Sequence, residues 1–111
     1  MQKLEKKLNI MRKCKICGLG NIEYDNDTCK ICGWEADTIQ EENPNYVGGA
    51  NNMTYNQHVM FWEENKNDII KSRGDFFVVK LSLEYYKKNF QSINEEILRK
   101  EEAGEIIQEI K

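Results

Sequence analysis

All four cysteines of the chain fall into two short pairs, Cys14-Lys15-Ile16-Cys17-Gly18 and Cys29-Lys30-Ile31-Cys32-Gly33. A Cys-x-x-Cys pair can turn both thiolates toward one ion, and the glycine after it accepts the tight backbone turn beneath. Two matched pairs joined by a hairpin predict a closed tetrahedral site: Cys14, Cys17, Cys29 and Cys32 holding one structural Zn2+. Two other readings of the cysteines are weaker. A disulfide framework needs an oxidising compartment, and residues 1–11 alternate charged and apolar residues without the apolar stretch of a secretory signal. A thioredoxin-like redox centre needs one pair at a strand-to-helix junction, not two copies of one knuckle.

A zinc staple suits a chain of this size. With 111 residues, 40% hydrophobic and 32% charged, the expectation is one compact domain with a modest core and a helical appendage. No run of about twenty apolar residues offers a membrane span. Reduced cysteines and the lack of an export signal place the expected protein in the cytoplasm.

Charge is unevenly spread around a net of −3. Residues 1–17 carry Lys3, Lys6, Lys7, Arg12, Lys13 and Lys15 against Glu5 alone, whereas residues 18–64 carry nine acids and only Lys30 as a base. The middle of the protein is therefore an anionic surface behind a short basic lead.

Periodicity gives the coarse organisation. Leu4, Leu8 and Met11 mark one face of a short amphipathic lead helix over residues 1–13. Residues 14–73 form the ribbon domain. Asn21 to Tyr24 reads as a strand, Asp25-Asn26-Asp27 as its turn, and Thr28-Cys29 as the strand returning beside Cys17. Trp34 is expected to pack over the cysteines. Asp37 to Asn52, with the only proline and Gly48-Gly49, should lack regular structure. A phosphate cradle at Gly48-Gly49 is disfavoured, because no base flanks it and Glu41 and Glu42 would repel an anion. Thr54 and Gln57 fit a capping box opening a helix over 54–72, stopped by Gly74, with His58 a partly exposed structural residue on it. Over 74–111 the expectation is a strand plus a helical extension packed on the same core. Phe76 to Leu81 favours the strand, Ser82 a helix start, and Ser92 with Glu95 a second capping box. The fold class is a small α+β protein: a four-cysteine zinc ribbon, built on a β-hairpin, packed against helices, with a C-terminal α-helical extension.

The second knuckle continues Cys29-Lys30-Ile31-Cys32-Gly33-Trp34-Glu35, and the loop reads Asn43-Pro44-Asn45-Tyr46-Val47-Gly48-Gly49-Ala50-Asn51. In order and spacing these elements resemble the bacterial cysteine-rich CPCC domain over residues 14 to about 65. The opening departs from that pattern: Cys14-Lys15-Ile16-Cys17 lacks the family's proline and extra cysteine, which a four-ligand site tolerates. The family has no well-established biochemical activity. The resemblance implies a zinc ribbon used for binding, with toxin immunity as a setting.

The expected function is a non-catalytic interaction module, an immunity or antitoxin-type protein that neutralises a basic toxin domain through its acidic surface. Glu35, Asp37, Glu41 and Glu42 would supply the charge, with Tyr46 and Trp62 as aromatic anchors. The alternative is a nucleic-acid-binding regulatory ribbon using Lys13, Lys15 and Lys30, though acids outnumber these bases locally. An enzyme is not expected. Four cysteines close the metal site, and no nucleophile–base pair stands out elsewhere.

Overall fold

The computed structural model describes residues 11–72 and 75–110, apart from the side chains of Asp75 and Phe76. Residues 1–10 of the expected lead helix and the expected stop at Gly74 lie outside the described residues. Where the description begins, the chain is extended rather than helical. Strand β1 (Arg12–Lys13) pairs antiparallel with β2 (Asn21–Ile22), Arg12 opposite Ile22 and Lys13 opposite Asn21. The hairpin therefore closes around the first knuckle instead of running from one knuckle to the other. Cys29 does come back to Cys17, the two sulfurs 3.6 Å apart, but Thr28 does not pair with the Asn21–Ile22 strand. It pairs with Glu35 in an isolated antiparallel bridge, so each knuckle is clasped at its own base. Asp27 fixes the link between the two clasps by accepting the N–H groups of Glu23 and Tyr24 on Oδ2, at 2.9 Å each.

The segment expected to be irregular contains one helical turn, α1 (Thr38–Glu42). Asp37 starts it from an extended conformation by accepting the Gln40 N–H, an N-cap that the loop-like composition concealed. Helix α2 (Tyr55–Ser72) begins as the sequence predicts. Thr54 Oγ1 accepts the Gln57 N–H at 3.1 Å, and Gln57 Oε1 accepts the Thr54 N–H at 3.0 Å, which makes both halves of the capping box.

Helix α3 (Asp75–Asn89) replaces the strand expected over Phe76 to Leu81. Strand propensity loses here to burial. Val78 and Tyr86 are buried and Leu81 and Tyr85 half-buried, a helical stripe, while Phe77, Val79 and Leu83 stay exposed. Ser82 consequently starts nothing. It sits inside α3 and its hydroxyl donates to the Val79 carbonyl. Helix α4 (Gln91–Glu102) opens at Phe90 with no side-chain cap, so Ser92 is not the N-cap either. What holds α4 is a buried amide, Asn94, which donates to the Asn52 carbonyl at 3.0 Å and pairs with the Gln57 side chain.

A chain of aromatic rings binds these layers together. Trp34 meets Tyr55 and His58 at centroid distances of 5.8 and 5.2 Å, and His58 meets Phe61 at 5.3 Å. Phe61 then meets Tyr85, and Tyr85 meets Phe90. Edge-on and tilted contacts of this kind add to the area the rings already bury. The path runs from ribbon to α2 to α3, and Val78 of α3 lies directly against Gly33 of the second knuckle.

Candidate metal centre

The knuckles are near duplicates. In the first, the N–H groups of Ile16 and Leu19 donate to the sulfurs of Cys14 and Cys17 at 3.4 Å each, and Gly18 N–H closes on the Cys14 carbonyl at 2.9 Å. In the second, Ile31 N–H donates to Cys29 Sγ at 3.4 Å and Gly33 N–H closes on the Cys29 carbonyl at 2.9 Å. Both closing glycines need the left-handed region, with φ of 73° and 84°. Donors aimed at sulfur favour the thiolate over the thiol.

Cys14 Sγ lies 3.6 Å from Cys32 Sγ, Cys17 Sγ lies 3.6 Å from Cys29 Sγ, and all four sulfurs fall within 4.8 Å of one another. Bonded sulfurs would be about 2.05 Å apart; the four cysteines are free. A tetrahedron of sulfurs about 2.3 Å from its centre has edges of about 3.8 Å. The observed spacing is one that four ligands around one ion could adopt. Electrostatics fits the same arrangement. Contact with Cys17 pushes the Cys14 thiol up and contact with Cys14 pushes the Cys32 thiol up, while contact with Cys14 holds Cys17 low and lowers Cys29 to about 6. Four adjacent sulfurs cannot all ionise without a cation among them, and a divalent ion would supply it.

The surroundings are built to the site's shape. A Cβ at Gly20 would stand 2.3 Å from Cys29 Sγ, so only glycine lets the backbone there lie against the sulfur. The sequence reading passes over Gly20, although its position three residues after Cys17 is a usable signal. His58 is buried, not partly exposed. Its Nε2–H donates to the Cys32 carbonyl at 2.9 Å, and burial lowers its pKa to about 4, so the ring is neutral. Trp34 packs beside the cysteines as expected, with its indole N–H donated to Glu41 at 3.0 Å.

The residues expected to meet a partner divide sharply. Glu41 and Trp62 are corrections. The Glu41 side chain is 2% exposed, held by Trp34 and by Arg12 at 3.4 Å, and Trp62 is 5% exposed in the core. Neither presents its side chain to solvent. Asp37 caps α1 with one oxygen and accepts the Ala50 N–H with the other. Glu35 and Tyr46 are half-buried, and Glu42 is exposed. Sequence reasoning missed Gln40, the buried hub of the loop. Its side-chain N–H groups face the carbonyls of Tyr46, Asn51 and Met53, and its Oε1 accepts from the Asn51 backbone and side chain. Gly49 presses onto Gln40 so closely that a Cβ would lie 2.5 Å from it. The Gly-Gly-Ala-Asn run is thus shaped by Gln40 and Asp37.

Fold and site together define a small α+β protein built on a cluster of four cysteines that could hold one metal ion. More particularly, residues 12–59 match the family model for Cysteine-rich CPCC. The resemblance seen in the second knuckle and the Gly-Gly-Ala-Asn loop is thereby shown. No curated protein and no solved structure matches the chain. Among the described residues, no helix is long and apolar enough to cross a membrane.

Proposed function

We propose that the protein is a cytoplasmic, non-catalytic interaction module of the immunity or antitoxin type, stapled by one structural Zn2+ on Cys14, Cys17, Cys29 and Cys32. The observation that carries the zinc assignment is a site of four cysteine sulfurs at tetrahedral spacing. An all-thiolate tetrahedral set selects zinc or an iron–sulfur centre over hard cations, and it leaves no position open for substrate or water. Chemistry at the metal is therefore no part of this reading.

The partner is read as a basic protein domain. With Glu41 and Trp62 withdrawn, the acids available to meet it are Glu23, Asp25, Glu35 and Glu42. Thr38 donates to Asp25, and Thr38 and Glu42 stand four residues apart on α1, which supports one continuous acidic strip. The nucleic-acid reading keeps one observation in its favour, the exposure of Lys13, Lys15 and Lys30 on the knuckles.

The test is growth protection against a cationic toxin encoded beside the gene for this chain, comparing wild type with Asp25→Lys/Glu42→Lys. Protection by the wild type, lost in the double variant at unchanged zinc content, is the expected outcome. Protection indifferent to charge reversal removes the acidic interface. Steeply salt-dependent binding to generic DNA or RNA would move the function to the knuckle lysines instead.

A further inference from the structure

A cavity of about 310 Å³ lies between the second knuckle, the loop before α2, and helices α2 and α3, apart from the cysteine cluster. Its lining includes the buried residues Met53, His58 and Tyr86. Val79 and Leu83 line it too, one turn apart on α3, which gives these two exposed apolar side chains a place in the fold. The volume is at the small end of the range in which proteins hold small molecules, and such sites combine apolar walls with a few placed polar groups. Two polar groups here lack a protein partner. His58 meets the Cys32 carbonyl through Nε2, and a carbonyl only accepts, so the proton of the neutral ring sits on Nε2 and Nδ1 keeps a lone pair. Among the described residues no donor meets Nδ1, yet the one polar side-chain atom sealed from solvent without a partner is Arg12 Nη1. His58 Nδ1 therefore opens onto the cavity that its ring lines, although the residue is only 3% exposed. Glu35 is the second. Its backbone N–H and carbonyl are both taken by the Asn51 side chain, and its carboxylate makes no ion pair among the described residues.

We propose that this cavity binds a small protonated amine, with the ammonium held by Glu35 and His58 Nδ1 and a short apolar body against Met53, Val79, Leu83 and Tyr86. The polar groups select the ligand. A carboxylate and an imidazole lone pair both accept, so the ligand has to donate, and the Ser82 hydroxyl beside them is spent on the Val79 carbonyl. An ammonium brings three donors and the charge that Glu35 lacks, whereas an alcohol brings one donor and no charge. A carboxylate or phosphate would meet Glu35 as a like charge and His58 as a second acceptor. The apolar wall in turn excludes a bare inorganic cation as the natural fit and calls for a carbon body of matching length. The site draws on Glu35 but on neither Asp25 nor Glu42, so it stands apart from the charge-reversal test of the acidic strip.

The test titrates the full chain, as purified with its metal, with hexylamine, hexanol and hexanoate, and follows the nitrogen resonances by NMR. Hexylamine should shift His58 Nδ1 and the Val79 and Leu83 amides saturably, hexanol should bind about tenfold more weakly, and hexanoate should not bind. Glu35→Gln keeps the backbone bonds to Asn51 and should lose the preference for the amine over the alcohol. Leu83→Trp, a change at an exposed position, should fill the cavity and abolish binding of both while the remaining spectrum stays folded. Shifts that fail to saturate, hexanoate binding as well as hexylamine, or an amine preference that survives Glu35→Gln overturns the proposal. So does undiminished hexylamine binding by a folded Leu83→Trp chain.

Discussion

At the scale of single residues, the candidate metal site depends on an atom that glycine lacks. Gly20 has no Cβ, and that lets Cys29 Sγ lie against the backbone of the first knuckle. Gly20→Ala must push the sulfur or the turn aside, and misplaced supporting groups around a metal cost about 10–100-fold in affinity. Competition with a colorimetric zinc chelator should show a loss of that size, with the helical circular dichroism retained when zinc is in excess. The four cysteines that could be ligands are plain in the sequence, because two knuckles of one pattern leave few arrangements open. Glu41 and Trp62 are misplaced by sequence reasoning for a physical reason. An acid beside Glu42 and an aromatic on a helix look alike whether they face water or a buried partner. Only the assembled fold shows Arg12 and Trp34 converging on Glu41 from different parts of the chain.

At the scale of elements, legibility follows how local the signal is. The start of α2 is readable because the Thr54–Gln57 box is complete within four residues. The strand expected at Phe76 to Leu81 fails because its β-branched and aromatic residues have to satisfy a core built by distant elements, Gly33 among them. The phase of α3 can be checked by a matched pair of truncations. Val78→Ala, at a position 3% exposed, should cost about 2 kcal/mol, whereas Val79→Ala, at one 56% exposed, should stay within about 0.5 kcal/mol. Urea denaturation midpoints of the two variants decide it. Equal losses would contradict the helical register. Likewise α4 starts at Phe90 without a side-chain cap, so the Ser92–Glu95 pattern signals the helix but not its first residue. Its position is set by Asn94, whose partners Asn52 and Gln57 lie about forty residues earlier.

At the scale of the whole molecule, the proposed zinc would be the largest single contribution to stability. Structural zinc in small four-ligand sites is worth about 10–16 kcal/mol near neutral pH, against a total stability of about 5–15 kcal/mol for a typical domain. Removing it should therefore unfold the chain rather than loosen it. Elemental analysis should find about one zinc per chain, and excess chelator should abolish the near-ultraviolet dichroism of Trp34 and the helical signal in one step. Retention of the helices after complete metal removal would mean that the aromatic chain from Trp34 to Phe90 sustains the fold alone. The buried amide of Asn94 carries a further consequence. The family-matching segment stops at residue 59, inside the second turn of α2, yet Gln57 within it depends on Asn94 outside it. Replacing Asn94 would remove the acceptor of the Gln57 amide N–H, while the Thr54 N–H would still hold Gln57 Oε1. The matched stretch thus leans on a residue beyond it, and Asn94→Ala should weaken the start of α2 from thirty-seven positions away.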